Sequence, residues 1–230
     1  MRSVVGDLTD GRTVTVVWTD RADGDFATPA DDRTSASIRR RIADRPWVWA
    51  RQVHGREVVI VDDGPWSDRC GREADALVTR RDDLVLEVRT ADCAVLGMWS
   101  DDGVVAAVHC GWRGLVAGVV DAAVDAMRSL TPAPLRAVLG PSIGVECYEF
   151  GVGDRQRVVD VAGDDVVGTT VDGRPALDVR AGVRAALDRR EVVLVGADAR
   201  CTACAPDEFH SHRARGESGR QALAVWIDRT

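Results

Sequence analysis

From Trp47 onward, short apolar runs recur between turn residues. Trp47–Ala50, Val58–Val61, Ala76–Val78, Leu84–Val88, Val104–Val108 and Leu135–Leu139 are each only a few residues long and show little polar alternation. That pattern predicts strands, several of them covered on both faces. Between and after them, Leu115–Leu130 and Val179–Arg189 place Ala, Val and Leu at helical spacing with Asp and Arg between, which predicts helices with one apolar stripe. Val192–Val195 and Ala222–Ile227 close the series as strands. The first forty-five or so residues are less regular: a β-type run at Thr13–Trp18, a polar stretch rich in Asp and Arg, then a short helix over Ser35–Ile42. Strands alternating with helices predict an α/β fold, and 230 residues without repeat, heptad or linker predict one domain over 1–230.

Charge narrows the partners. A net charge of −7 with a pI near 5.1 offers no basic face for phosphate neutralisation, so small molecules are expected rather than nucleic acid. All 30 basic residues are Arg, which removes lysine Schiff-base chemistry. The N-terminal residues form no apolar signal core and no stretch has the length of a membrane span, so a cytoplasmic protein with no membrane partner is expected. Without an export signal, the six cysteines are expected as thiols or metal ligands rather than disulfides.

Of four histidines, His54 and His109 each follow an apolar run and precede a glycine turn, and Cys93 follows the run ending at Val88. Side chains at strand ends project toward the crevice where α/β sheets bind ligands. Two imidazoles and a thiolate suit zinc, or alternatively copper, and three protein ligands leave a position open for substrate. The spacing itself is equally compatible with buried structural Cys and His. Gly111-Trp-Arg-Gly114 adds backbone N–H groups and Arg113 at a helix start, an anion site or an ordinary strand-to-helix turn. Gly140-Pro-Ser-Ile-Gly144 is expected to bring Ser142 to the same crevice. A competing metal reading groups Cys201 and Cys204 with His210 and His212. Its His-x-His spacing is tighter than in the usual Cys₂His₂ site, which favours packed cysteines and a polar loop whose Arg213 and Arg220 face the substrate.

Taken in order, Gln52-Val-His-Gly55, Ala74-Asp-Ala-Leu-Val-Thr79, Thr90-Ala-Asp-Cys93, Val108-His-Cys-Gly-Trp-Arg-Gly114, Gly140-Pro-Ser-Ile-Gly144 with Cys147-Tyr-Glu149, and Ser211-His-Arg213 with Gly219-Arg220 resemble the YfiH-like family. That family is described both as polyphenol oxidoreductases or laccases and as purine nucleoside phosphorylases. The resemblance implies a single-domain, layered sandwich of mixed β-sheets flanked by helices, of the cysteine-hydrolase-like kind. It implies zinc on His54, Cys93 and His109 as catalytic centre. It also implies phosphorolysis of adenosine, inosine and methylthioadenosine, and deamination of adenosine, with purine nucleosides and phosphate as partners. For deamination a metal-activated water is expected at C6; for phosphorolysis, phosphate held near Arg113 is expected to attack C1′. Asp75, Asp92 and Glu149 are candidate acids or partners of the metal ligands. The chain departs from the family pattern at Cys110, in Thr19–Asp25, and at His210 and Ser211. Two rivals stand beside this reading: a metal-free cysteine hydrolase with Cys93 as nucleophile and His109 as base, and a peptidoglycan-precursor editing factor acting by binding. A multicopper laccase needs more imidazoles than four histidines supply.

Overall fold

The computed structural model describes residues 1–27 and 33–228. In chain order the strands are β1 (Arg2–Asp7), β2 (Thr13–Trp18), β3 (Trp47–Trp49), β4 (Val58–Ile60), β5 (Ala76–Thr79), β6 (Val85–Thr90), β7 (Ala94–Ser100), β8 (Val105–Cys110), β9 (Leu135–Leu139), β10 (Val167–Thr169), β11 (Pro175–Leu177), β12 (Val193–Ala197) and β13 (Gln221–Asp228). The α-helices are α1 (Arg33–Ile42), α2 (Trp112–Ala117), α3 (Val119–Arg128), α4 (Val152–Ala162), α5 (Val179–Arg189) and α6 (His212–Arg215).

Two mixed sheets result, one in the order β1-β2-β13-β6-β3 and one in the order β12-β9-β7-β8-β5-β4, with β10 and β11 as a separate ribbon. The period of two along each strand divides the core. Val95, Trp99, Val105, Ala107 and Leu77 face Val16, Leu86, Val88, Leu223 and Val225 between the sheets. Leu96, Met98, Ala106, Val108 and Val78 face α2, α3 and α5 on the other side of the six-stranded sheet. On the outer face of the five-stranded sheet Val17, Trp47, Val85, Ala224 and Trp226 pack with Ile42 at the end of α1. The molecule is therefore helix on sheet on sheet on helix, the expected sandwich. Strands β5, β7 and β8 are buried along their whole length, which is why Ala76–Val78 and Val104–Val108 read as apolar runs without polar alternation.

The structure departs from the sequence reading in several places. The helix expected over Leu115–Leu130 is two, because Gly118 adopts a left-handed φ of 84° that ends α2 and starts α3. Strands β1 and β7 and helix α4 were not expected as elements: β1 is a largely exposed edge and α4 buries only Val158. The expected helix at Ser35 begins at Arg33, and residues 28–32 of the polar stretch before it lie outside the described residues. No helix among the described residues is long and apolar enough to cross a membrane.

Candidate metal centre and its cleft

The centre assembles at one end of the six-stranded sheet. Antiparallel pairing of β7 with β8 sets Ala94 opposite Cys110 and Val95 opposite His109, so Cys93, just before β7, lies next to His109 at the end of β8. Parity along β8 decides what each of its last residues faces. His109 shares the side of Val105 and Ala107, toward the second sheet, whereas Cys110 joins the helix-side core. Cys110 therefore points away from the cluster, and burial drives its thiol far above the ordinary range.

His54 comes from the loop before β4 and has φ 58°, a left-handed conformation that costs a non-glycine residue on the order of 1 kcal/mol. Asp75, fully buried just before β5, holds it there. Its carboxylate accepts the N–H groups of Val53 at 3.2 Å, His54 at 3.0 Å and Gly55 at 2.7 Å, and pairs with Nδ1 of His109 at 2.8 Å. One carboxylate thus fixes the backbone turn at His54 and the ring of His109. Their ring centroids are 4.9 Å apart at an interplanar angle of 80°, and Cys93 Sγ lies 3.8 Å from His54 Nε2. The backbone of Gly111 passes over the cluster so closely that a Cβ there would lie 2.9 Å from His54 Cδ2 and 3.0 Å from Cys93 Sγ.

Electrostatics favour a thiolate. Burial opposes charge on Cys93, but the charges and hydrogen bonds of His109 and His54 outweigh it and bring the thiol down to about 6. Burial likewise opposes a charged His109, and the Cys93 sulfur and Asp75 outweigh it, raising the ring to about 9. One ligand atom from each of His54, Cys93 and His109 falls within 4.8 Å of the others, against an edge of about 3.3–3.6 Å for a tetrahedron with zinc-like bonds to two nitrogens and a sulfur. The donor set, two nitrogens and one sulfur with a carboxylate behind one ring, fits a catalytic zinc. It offers ligands for one cation, and the described residues gather no second set of imidazoles.

Outward from the cluster opens a cleft of about 560 Å³. Arg51, Gln52, Arg89, Thr90, Arg113, His212 and Arg220 line it beside His54, Cys93 and His109, and among the described residues no carboxylate does. Arg113 lies at the start of α2, stacked on Trp112 at 4.5 Å, and forms no ion pair with a described residue. Gln52 is spent on structure: its amide exchanges hydrogen bonds with the backbone of Arg89 at 2.7 and 2.8 Å.

Other expected site residues lie elsewhere. Ser142 is fully buried with its hydroxyl held by Arg180 Nε at 2.9 Å, and it does not line the cleft. Arg213 lies over the Tyr148 ring at 4.5 Å and donates to the Glu149 carbonyl at 2.6 Å, also outside the lining. Asp92, strained at φ 95°, is buried and spans the Thr202 hydroxyl and the Arg213 N–H, both at 2.6 Å; it positions loops rather than facing the cleft. The Glu149 carboxylate is exposed and paired with Arg174. His210 and His212 do not join Cys201 and Cys204. His210 sits near Glu217, and His212, at the start of α6, enters the cleft. His212 was legible as a histidine beside Arg213, but only as a possible ligand next to Cys201 and Cys204, a reading that its spacing disfavoured.

A purine nucleoside phosphorylase of Streptomyces coelicolor is 45% identical over 184 residues, covering 79% of this chain and 75% of that protein. One from Corynebacterium glutamicum is 33% identical over 94% of this chain and 95% of its own. The crystal structure of the hypothetical protein YfiH from Bacillus licheniformis superposes with a TM-score of 0.80 at 26% identity, covering 94% and 93% of the two chains. Residues 25–228 match the family described as multi-copper polyphenol oxidoreductase laccase, and with this fold and these relatives the chain belongs to that YfiH-like family.

Proposed function

We propose that this protein is a zinc-dependent enzyme that cleaves purine nucleosides with phosphate, with adenosine, inosine and methylthioadenosine as its substrate class. The observation that carries the reading is the cleft: its lining holds four arginines and no described carboxylate, Arg51 and Arg89 pair with Glu73 and Glu87, and Arg113 and Arg220 form no ion pair with a described residue beside the Cys-His-His cluster, in a chain of net charge −7. Positive charge collected there against the balance of the whole molecule fits an anionic co-substrate. The names of the relatives supply the base and sugar.

In this reading Arg113 and Arg220, with Arg89 behind them, hold phosphate so that one of its oxygens faces C1′ of the ribose. The C1′–O bond forms as C1′–N9 breaks, and the electron pair leaves with the purine, which must be protonated. His212, the one imidazole of the cleft outside the cluster, is the group we assign to that proton. His54, Cys93 and His109 would hold zinc, which when bound supplies Lewis-acid polarisation at the floor of the cleft. Asp75 holds Nδ1 of His109, which would leave Nε2 as the ligand atom for the metal.

One observation also favours the metal-free hydrolase: Cys93, His109 and Asp75 follow the order of nucleophile, base and orienting acid. That reading leaves unexplained why the same carboxylate fixes His54 on the sulfur's other side. Chromatography of adenosine and inosine incubated with zinc-loaded protein, with and without phosphate, separates the readings. Free base appearing only with phosphate, and disappearing in Cys93→Ala together with the zinc, supports the phosphorylase. Inosine formed from adenosine without phosphate adds deamination at the same site. No turnover of any nucleoside, together with covalent capture of metal-free Cys93 by an acylating ester, overturns it.

A further inference from the structure

A second group of soft donors lies outside the cleft. The short turn Val145–Cys147 after β9 carries Glu146 and Cys147, and the turn after β12 carries Cys201 and Cys204. One ligand atom from each of the four residues lies within 4.8 Å of all the others. Cys147 Sγ is 3.2 Å from Cys204 Sγ, and Cys204 Sγ is 3.7 Å from Glu146 Oε1. Zinc with bonds of about 2.3 Å to sulfur and about 2.0 Å to oxygen places tetrahedral neighbours about 3.5–3.8 Å apart, so only small adjustments separate this arrangement from a coordination shell.

Two features of the backbone serve these donors. Cys201 Sγ accepts the N–H of Gly144 at 3.1 Å. An N–H aimed at the first sulfur of the Cys-x-x-Cys turn holds that sulfur in place beside the loop after β9. At Gly144 a Cβ would fall 2.2 Å from both Glu146 oxygens, so glycine is what lets the carboxylate fold back toward the sulfurs. Arginines brace the same loops. Arg180 donates to the carbonyls of Ser142 and Arg200, and Arg215 to those of Thr202 and Ala203, bringing two guanidinium groups to the same two loops.

We propose that Cys147, Cys201 and Cys204, closed by Glu146, form a second zinc site that fastens the loop after β9 to the loop after β12. Three thiolates and a carboxylate leave no position open, as in structural zinc sites. The fastened loop leads directly to the first centre: Thr202, between the two cysteines of the turn, holds Asp92, the residue before Cys93. The site is independent of the proposed reaction and stands or falls by its own metal.

The test uses full-length protein purified anaerobically with a reductant. In a Cys93→Ala/His109→Ala background, which removes the first centre, cobalt(II) is titrated in. About one equivalent is expected to bind with visible bands of tetrahedral cobalt and thiolate charge transfer in the near ultraviolet, and zinc should displace it. Adding Cys204→Ala, a change at an exposed position, should abolish the bands or reduce the charge transfer by about a third, as one of three thiolates is lost. Should the double variant fail to fold, zinc content of the otherwise unaltered protein is compared with that of Cys204→Ala, and a loss of about one zinc per chain supports the site. No cobalt spectrum, a spectrum or zinc content indifferent to Cys204→Ala, or recovery of Cys147 and Cys204 as a disulfide from reduced protein overturns it.

Discussion

At the scale of single residues, Asp75 concentrates most of the site's organisation. Two oxygens receive three backbone N–H groups and one imidazole, so every lone pair faces a donor. Asp75→Asn keeps the shape but turns an NH₂ toward those donors, freeing the left-handed turn at His54 and the tautomer of His109. Zinc affinity, measured by competition with a chromophoric chelator, should fall about 10–100-fold; unchanged affinity would show that the carboxylate does not position the ligands. A second prediction comes from protonation. The metal-free His109 ring titrates at about 9 and Cys93 at about 6, so between these values the ring is charged and the sulfur is a thiolate. Zinc must then displace the imidazolium proton, and about one proton per first-centre zinc should be released in that window. Above about 9 the ring is already neutral and release should fade; below about 6 the thiol is protonated too and release should rise above one. Calorimetry of the Cys204→Ala protein in buffers of different ionisation enthalpy reads this count, and no release at neutral pH would contradict it.

At the scale of elements, the close passage of Gly111 is the most exposed to test. Its φ of −71° is one any residue adopts, so Gly111→Ala tests space rather than backbone strain. A methyl group 2.9 Å from His54 and 3.0 Å from Cys93 must push the ligands apart. Zinc binding and turnover should drop by at least about tenfold while the thermal midpoint moves by only a few degrees; full activity would mean that the loop moves freely over the cluster. The same scale shows what the sequence made legible. His54, Cys93 and His109 could be located because each sits at an end of a buried apolar run, and such runs stand out. Their convergence could not be read from spacing, since it depends on the antiparallel register of β7 and β8 and on Asp75, which looks like any loop carboxylate. The break at Gly118 was hidden because α2 and α3 both keep an apolar stripe across it. Cys147 was missed as a partner of Cys204 because 57 residues separate them, and adjacency in the chain drew His210 and His212 into its place.

At the scale of the whole molecule, two sheets must stay in register for residues from β7, β8 and their loops to meet. Gly97 on β7 allows their close approach, since a Cβ there would lie 2.3 Å from Val16 of β2. The outer helix is tied in differently. Arg39 of α1, almost fully buried, makes a two-pronged ion pair with Glu87 of β6 and lies 5.0 Å from the Phe26 ring and 5.7 Å from that of Trp47. The pair's net contribution to stability is small, because desolvating both charges offsets their attraction, but removing one partner leaves the other charged in an apolar setting. Glu87→Gln should therefore cost about 3–5 kcal/mol, lowering the thermal midpoint by on the order of 10 °C in a chain of this length. Arg39→Met combined with Glu87→Leu removes both charges and should recover most of that loss. Zinc content at ambient temperature should survive in both variants, because the side chain of Glu87 pairs with Arg39 and Arg89 and with no ligand of the first centre. Scanning calorimetry of the two proteins decides the point: a double variant no more stable than Glu87→Gln would mean that α1 is held by the charge pair itself rather than by the aromatic surface around it.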